Sequence, residues 1–248
     1  MARLIRTTTR LTRLGFAILS AHREGSNLGT IAQRAAWQQR QARRMLAALE
    51  IETSVTGMLP AEGLLVCNHL SYLDILLIAA QGPAVFVAKS DVVKWPAIGG
   101  LLVCAGTILA KRGRPLTSRK TSDEIRRVLD DGIPVVLFPE GTSSDGEKVL
   151  PFKPTLLQTA LDADSPITPA AISYQAVGGT VANDVCYWGD ATFFPHLLRL
   201  AGLKRVVGKL NIGELARIPA NRKDAAKMLQ AEVTRLKSRC EDHVPQNV

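Results

Sequence analysis

Four short apolar runs recur along this chain: Leu64-Leu65-Val66-Cys67, Val85-Phe86-Val87-Ala88, Thr107-Ile108-Leu109-Ala110 and Val135-Val136-Leu137-Phe138. A strand with one face in water alternates apolar and polar residues, whereas an unbroken run is expected of a strand buried on both faces. Ile167 to Ile172 is a weaker fifth run, interrupted by Pro169. Helical segments fall between them. Thr121-x-x-Glu124 reads as a capping-box start for a helix over 121–131, with Gly132 and Pro134 as its stop. A closing helix is expected over 222–241, with Asn221 as N-cap and Ala225, Met228, Leu229 and Leu236 as its apolar stripe. The pattern predicts an α/β domain with a largely parallel central sheet flanked by helices, and ligands bind such sheets beyond the carboxyl ends of the strands.

The charge is segregated. Residues 1–45 hold nine arginines, no lysine and one acid, Glu24, which puts a net +8 of the chain's +9 into this segment. Leu11, Leu14 and Ile18 share a helical face, and a second helical stretch runs from about Leu28 to Leu49. The expectation is a pair of basic amphipathic helices over residues 1–50, lying in a membrane interface with arginines toward anionic headgroups; two solvated helices packed on the domain are the alternative. No zinc-finger, helix-turn-helix or RNP-like pattern accompanies the basic segment, so nucleic acid is not expected as a partner. The longest apolar run, Ala97 to Ala110, falls short of the roughly 20 residues that span a bilayer. Cys67, Cys104, Cys186 and Cys240 form no CxxC, so neither a metal site nor a disulfide framework is expected.

Two polar strings follow directly on apolar runs. The first is Asn68-His69-Leu70-Ser71-Tyr72-Leu73-Asp74. Histidine exchanges a proton near neutral pH, and a carboxylate on its second nitrogen fixes the tautomer. Five positions on an ideal helix are about 140° apart, so His69 and Asp74 would not meet within one helix. Ser71-x-x-Asp74 offers a way round: the helix starts near Ser71, Asp74 sits in its first turn, and His69 folds back from the preceding loop. Taken alone, the pair reads equally well as a helix cap beside a polar loop residue. The second string, Phe138-Pro139-Glu140-Gly141-Thr142, places an acid, a glycine and a hydroxyl at a strand end. A third element, Gly106 to Arg112, puts a guanidinium after a strand, where it suits a phosphate.

These strings resemble the HxxxxD and FPEGT blocks of the lysophospholipid and 1-acyl-sn-glycerol-3-phosphate acyltransferases. The likeness runs in order over roughly residues 55–190, with Gly106 to Arg112 similar to the second block and Ile167 to Ile172 to the fourth. It implies an acyltransferase domain over residues 51–248 and transfer of an acyl chain from acyl-CoA or acyl carrier protein to a lysophospholipid hydroxyl. The expected acceptor is 1-acyl-sn-glycerol-3-phosphate, and no metal or cofactor is needed. By the same resemblance His69 is the base and Asp74 its partner. Arg112, Glu140, Gly141 and Thr142 hold the glycerol-phosphate part of the acceptor, and Pro169 shapes the site. The setting implied is the cytoplasmic face of a bacterial inner membrane.

One position departs from the family. Many members that use lysophosphatidic acid carry arginine after the threonine, where this chain has Ser143. Arg112, Lys148 or Lys153 would have to compensate, or the acceptor is another lyso-lipid such as lyso-ornithine lipid. Backbone N–H groups following Asn68 are expected to stabilise the oxyanion; Trp95 to Val103, apolar with two glycines, reads either as a flexible stretch against the acyl chain or the membrane or simply as core. A thioesterase and a non-catalytic lipid-binding protein are the competing readings.

Overall fold

The computed structural model describes residues 1–95, 97–110, 119–214 and 218–242. In chain order its elements are α1 (Ala2–Gly25), α2 (Ile31–Ala48), β1 (Ile51–Thr56), β2 (Leu64–Cys67), α3 (Leu73–Ala79), β3 (Val85–Lys89), a 3-10 turn (Ser90–Lys94), α4 (Gly99–Cys104), β4 (Ile108–Ala110), α5 (Arg119–Asp130), β5 (Val135–Leu137), α6 (Pro154–Asp162), β6 (Ile167–Val177), α7 (Val181–Asp184), α8 (Phe193–Gly202), β7 (Arg205–Ile212) and α9 (Arg222–Asp242). The strands form a seven-stranded sheet in the order β1-β7-β6-β2-β5-β3-β4. All neighbours are parallel except β6 and β7.

The four unbroken runs are β2, β3, β4 and β5, and β2 lies mid-sheet with all four residues buried. Two apolar clusters cover the sheet, one on each face. One contains Leu65, Cys67 and Phe86 with Trp37, Met45 and Leu77; the other contains Leu64, Val66 and Val85 with Ile125, Leu157 and Leu229. Period-two alternation therefore sends neighbouring residues of one strand to opposite cores. Pro169 sits inside β6, where it removes one donor from the ladder, but its carbonyl still accepts from Gly213 N–H at 2.8 Å.

One boundary differs from expectation. The described part of α5 begins at Arg119, so Thr121 lies buried within the helix and not at its cap. Its stop is as expected: Gly132 takes φ 68°, and Gly132 and Ile133 N–H close on Leu129 and Val128 carbonyls. Asn221 Oδ1 accepts from Lys223 and Asp224 N–H and so caps α9.

The N-terminal helices share the core of the domain: Leu14, Ala21, Trp37, Ala42, Met45 and Leu46 belong to the same cluster as Leu65 and Leu77. Thr30 and Gln33 form a reciprocal capping box at the start of α2. Several of the arginines contact the protein, although only Arg10 is buried. Arg6 donates to Gly202 O, and Arg10 to the carbonyls of Ala201 and Leu203, which neutralises the C-terminus of α8. Arg10 and Arg13 also meet Glu50, Arg43 reaches Ala80 O, and Arg44 pairs with Glu24. The outward side of α1 carries Leu4, Ile5, Phe16 and Leu19, all exposed. Among the described residues no helix is long and apolar enough to cross a membrane.

Candidate active site

The loop that carries His69 leaves β2 at Asn68, whose side chain continues the β2–β6 pairing after the strand has ended. Its amide donates to Ile172 O at 3.0 Å and accepts from Ile172 N–H at 2.8 Å. This fixes the chain one residue before His69. His69 folds back over the first turn of α3, and its Nδ1 lies 2.8 Å from Asp74 Oδ2. The same oxygen accepts from Leu70 N–H at 2.6 Å and Ser71 N–H at 2.9 Å. Oδ1 accepts from the Tyr174 hydroxyl at 2.7 Å. Four donors therefore converge on one buried carboxylate, whose ionised form has only acceptor capacity. With Nδ1–H directed at Asp74, Nε2 is left as the proton acceptor.

Asp74 thus meets His69 by loop geometry, as the five-residue spacing required. Only half of the expected capping box forms. Asp74 reaches back to Ser71 N–H, while Ser71 Oγ is buried without a partner. The N–H groups of Leu70 and Ser71, expected at the oxyanion, are taken by Asp74 and are unavailable to substrate.

The second string wraps the first. Phe138 stacks on the His69 ring at 4.2 Å between centroids and 17° between planes. Ser144 N–H donates to His69 O, and Tyr187 N–H to Leu70 O. Gly141 takes φ 71°, a left-handed conformation that favours glycine, and lines the same cavity as His69 and Thr142. Glu140, expected on the acceptor, is only 2% exposed. Its carboxyl accepts from Leu150 N–H at 3.3 Å, and Oε2 has no partner. Burial pushes Glu140 up to about 8, so it is neutral at pH 7. It therefore braces the two loops from behind and does not line the cavity. Arg112 lies outside the described residues.

The cavity has a volume of about 330 Å³ and an overwhelmingly apolar wall, within the usual range for ligand pockets. His69, Phe138 and Thr142 border it, and so do Trp37 of α2 and Leu101 and Ala105 of α4 and its cap. Trp95, Tyr72, Tyr187 and Phe193 form a continuous ring cluster along the wall, with centroid separations of 5.1–6.3 Å. The two glycines of the Trp95–Val103 stretch serve close packing and not flexibility. A Cβ on Gly99 would lie 1.8 Å from Val93 O, and one on Gly100 would lie 2.9 Å from His22.

Several contributors were not legible in advance. Tyr174 holds the far oxygen of Asp74, and its only early signal is a phenol in an otherwise buried strand, which must find a partner. His196 is fully buried and bridges Cys186 O, at 3.0 Å from Nε2, and the Tyr72 hydroxyl, at 3.0 Å from Nδ1. Burial holds it down at about 4, so it stays neutral. Nε2 must then donate to the carbonyl and Nδ1 accept from Tyr72, which anchors the aromatic wall to α8. Burial pushes the Cys67 thiol up, consistent with a core residue and not a nucleophile. No group of His, Cys, Asp and Glu able to hold a metal occurs among the described residues.

Residues 50–173 match the acyltransferase family. The lyso-ornithine lipid O-acyltransferase of Pseudomonas aeruginosa is 36% identical over 186 residues, which span 75% of this chain and 70% of that one. The 1-acyl-sn-glycerol-3-phosphate acyltransferase of Neisseria meningitidis is 35% identical over 80% of each chain. The crystal structure of the 1-acyl-sn-glycerophosphate acyltransferase from Thermotoga maritima shares the fold, with a TM-score of 0.66 at 18% identity and coverage of 100% of this chain and 98% of that one. A histidine–carboxylate pair at the strand end, the glycine-bearing loop stacked on it and this breadth of likeness lead to one assignment: the chain belongs to the acyltransferase family and is an acyl-transferring enzyme.

Proposed function

We propose that the enzyme moves an acyl chain from an acyl thioester, on coenzyme A or acyl carrier protein, to the free hydroxyl of a lyso-lipid. The observation that carries this reading is the His69–Asp74 pair on the wall of an apolar cavity. Nε2 of His69 takes the proton of the acceptor hydroxyl as its oxygen attacks the thioester carbonyl, a contribution of about 10²–10⁴-fold. Asp74, held by three further donors, keeps Nδ1–H in place and stabilises the imidazolium. We assign the oxyanion contact to Thr142, which borders the cavity beside His69. As the tetrahedral intermediate collapses, the thiolate leaves and the imidazolium returns its proton to the sulfur. No acyl-enzyme is required.

The acceptor is either 1-acyl-sn-glycerol-3-phosphate or lyso-ornithine lipid. One observation favours the second: Ser143 replaces the arginine and gives its hydroxyl to Tyr187 O, so this position offers no charge to a phosphate. We place the reaction at a membrane surface, on the cytoplasmic side, where acyl thioesters are found. The outward Leu4, Ile5, Phe16 and Leu19 of α1 support the membrane contact.

The test is incubation with labelled acyl thioester and each lyso-lipid in turn. Acceptor-dependent diacyl product, lost in His69→Ala, is expected. Free fatty acid alone would instead make the protein a thioesterase, and no turnover would make it a lipid binder.

A further inference from the structure

Where the family's arginine is missing, a different cation stands over the loop. Lys153 leads into α6 and is tied to the second string through its backbone, with N–H donating to Pro139 O at 2.9 Å. Its side chain runs back across Gly141. A Cβ placed on Gly141 would lie 2.7 Å from Lys153 Nζ, 3.3 Å from Cε and 3.4 Å from Cδ. The absence of a side chain at Gly141 is therefore what admits the ammonium, in addition to the φ of 71°. Gly141 borders the cavity together with His69 and Thr142, while exposed Lys153 is not itself among the residues that line it and reaches the rim only over Gly141. The nearby acids do not neutralise Lys153. Glu140 is buried on the other side of the loop, and Asp145 accepts from Glu147 N–H. Among the described residues the Lys153 ammonium has no ion-pair or hydrogen-bond partner.

We propose that Lys153 is the contact for the anionic group of the acceptor head, so that acceptor recognition rests on a point charge above Gly141 in place of a guanidinium after Thr142. The inference rests on the acyl-transfer reading and specifies its acceptor class: a lyso-lipid whose head carries an anionic group, whether a phosphate or the carboxylate of a zwitterionic ornithine. Arginine offers a planar fork that matches phosphate bidentately, whereas an ammonium is a compact charge on a flexible stem with no such geometric demand. A carboxylate, as in an ornithine head, and a phosphate monoester share the required charge, and the experiment separates them.

Full-length protein is assayed with 1-acyl-sn-glycerol-3-phosphate, lyso-ornithine lipid and the uncharged monoacylglycerol, as wild type, Lys153→Met and Lys153→Arg. For the anionic acceptor that is used, Lys153→Met should raise KM roughly ten- to hundredfold, the weight of one charge-assisted contact, with kcat retained. Lys153→Arg should recover part of the loss, and transfer to monoacylglycerol should not change. A second arm measures equilibrium binding of the two anionic lyso-lipids to His69→Ala and His69→Ala/Lys153→Met, and the double variant should bind more weakly by the same factor. An unchanged KM and affinity, or an equal fall in kcat for charged and uncharged acceptors, overturns the assignment. Lys153-dependent binding without transfer in the wild type would defeat the acyl-transfer reading and leave this contact standing. Transfer indifferent to Lys153 would defeat the contact alone.

Discussion

Asp74 receives more hydrogen bonds than its partnership with His69 needs, and the surplus has separable consequences. The N–H groups of Leu70 and Ser71 come from the backbone and cannot be removed by substitution, but the Tyr174 hydroxyl can. Tyr174→Phe should keep the ring in the core and lower kcat roughly tenfold, the effect of one hydrogen bond to a charged group, with KM little changed. Kinetics in both substrates check this. Glu140 makes a different prediction. An ordinary glutamate titrates at 4.5, and burial has raised this one to about 8. Between those values the unfolded chain has lost the proton and the folded chain keeps it, so rising pH costs stability at about 1.4 kcal/mol per unit. Below 4.5 both states are protonated and the penalty vanishes. Glu140→Gln should therefore flatten the decline in urea stability from pH 5 to 8 while leaving acceptor KM near wild type. A raised KM with an unaltered pH slope would put the carboxyl back on the substrate.

At the scale of elements, α1 combines an arginine-rich composition with an exposed apolar stripe. Its arginines suggested a face for anionic headgroups, yet Arg6, Arg10 and Arg13 are spent on α8 carbonyls and Glu50. Exposed Leu4, Ile5, Phe16 and Leu19 share the outward side with Arg3, Arg13 and Arg23, and exposed Phe194 and Leu198 on neighbouring α8 add to the apolar part. A membrane held this way is held by burial of side chains, each worth about 1.5–3 kcal/mol, and not by screened charge. Wild-type protein should stay on anionic vesicles in high salt, and Phe16→Ser/Leu19→Ser should release it with thermal stability unchanged; sedimentation reads both. Release of the wild type by salt alone would return the role to arginine. The same contrast explains which elements were legible. The runs that became β2 to β5 are local patterns, and so are the two polar strings. β7 was not, because Lys209 and Asn211 interrupt its apolar residues; both are satisfied by α9, through Cys240 O and Leu236 O. β1 was not either, because as an edge strand it exposes Glu52, Thr53 and Ser54. Lys153 was legible as a candidate cation but its place over Gly141 was not, and Tyr174 on Asp74 depends on segments 100 residues apart meeting, which no spacing encodes.

Across the whole molecule, the cavity ties the N-terminal helices to the chemistry. Trp37 and Leu14 come from α2 and α1, while His69 and Thr142 come from strand ends in mid-sheet, and all border one space of about 330 Å³. The register carries the geometry further. β2, β5, β3 and β4 are successive neighbours, and Ala105, the C-cap of α4, leads into β4, three strands from β2. An acyl chain whose carbonyl sits at His69 and whose tail follows the cavity would end against this corner. Its length would then be read by the side chains there and not by the catalytic loop. Ala105 is 2% exposed and borders the cavity, so a larger residue projects into space and not only into packed core. Ala105→Leu should shift the preferred acyl chain to shorter lengths while turnover of the shorter chains holds near wild type. Removing a few methylenes from the available space costs about 0.8 kcal/mol each, so the longest chains should be disfavoured by tenfold or more. Competition between thioesters of graded length in one reaction reads the shift directly. A uniform loss across all lengths would mean that the acyl chain takes another route out of the site.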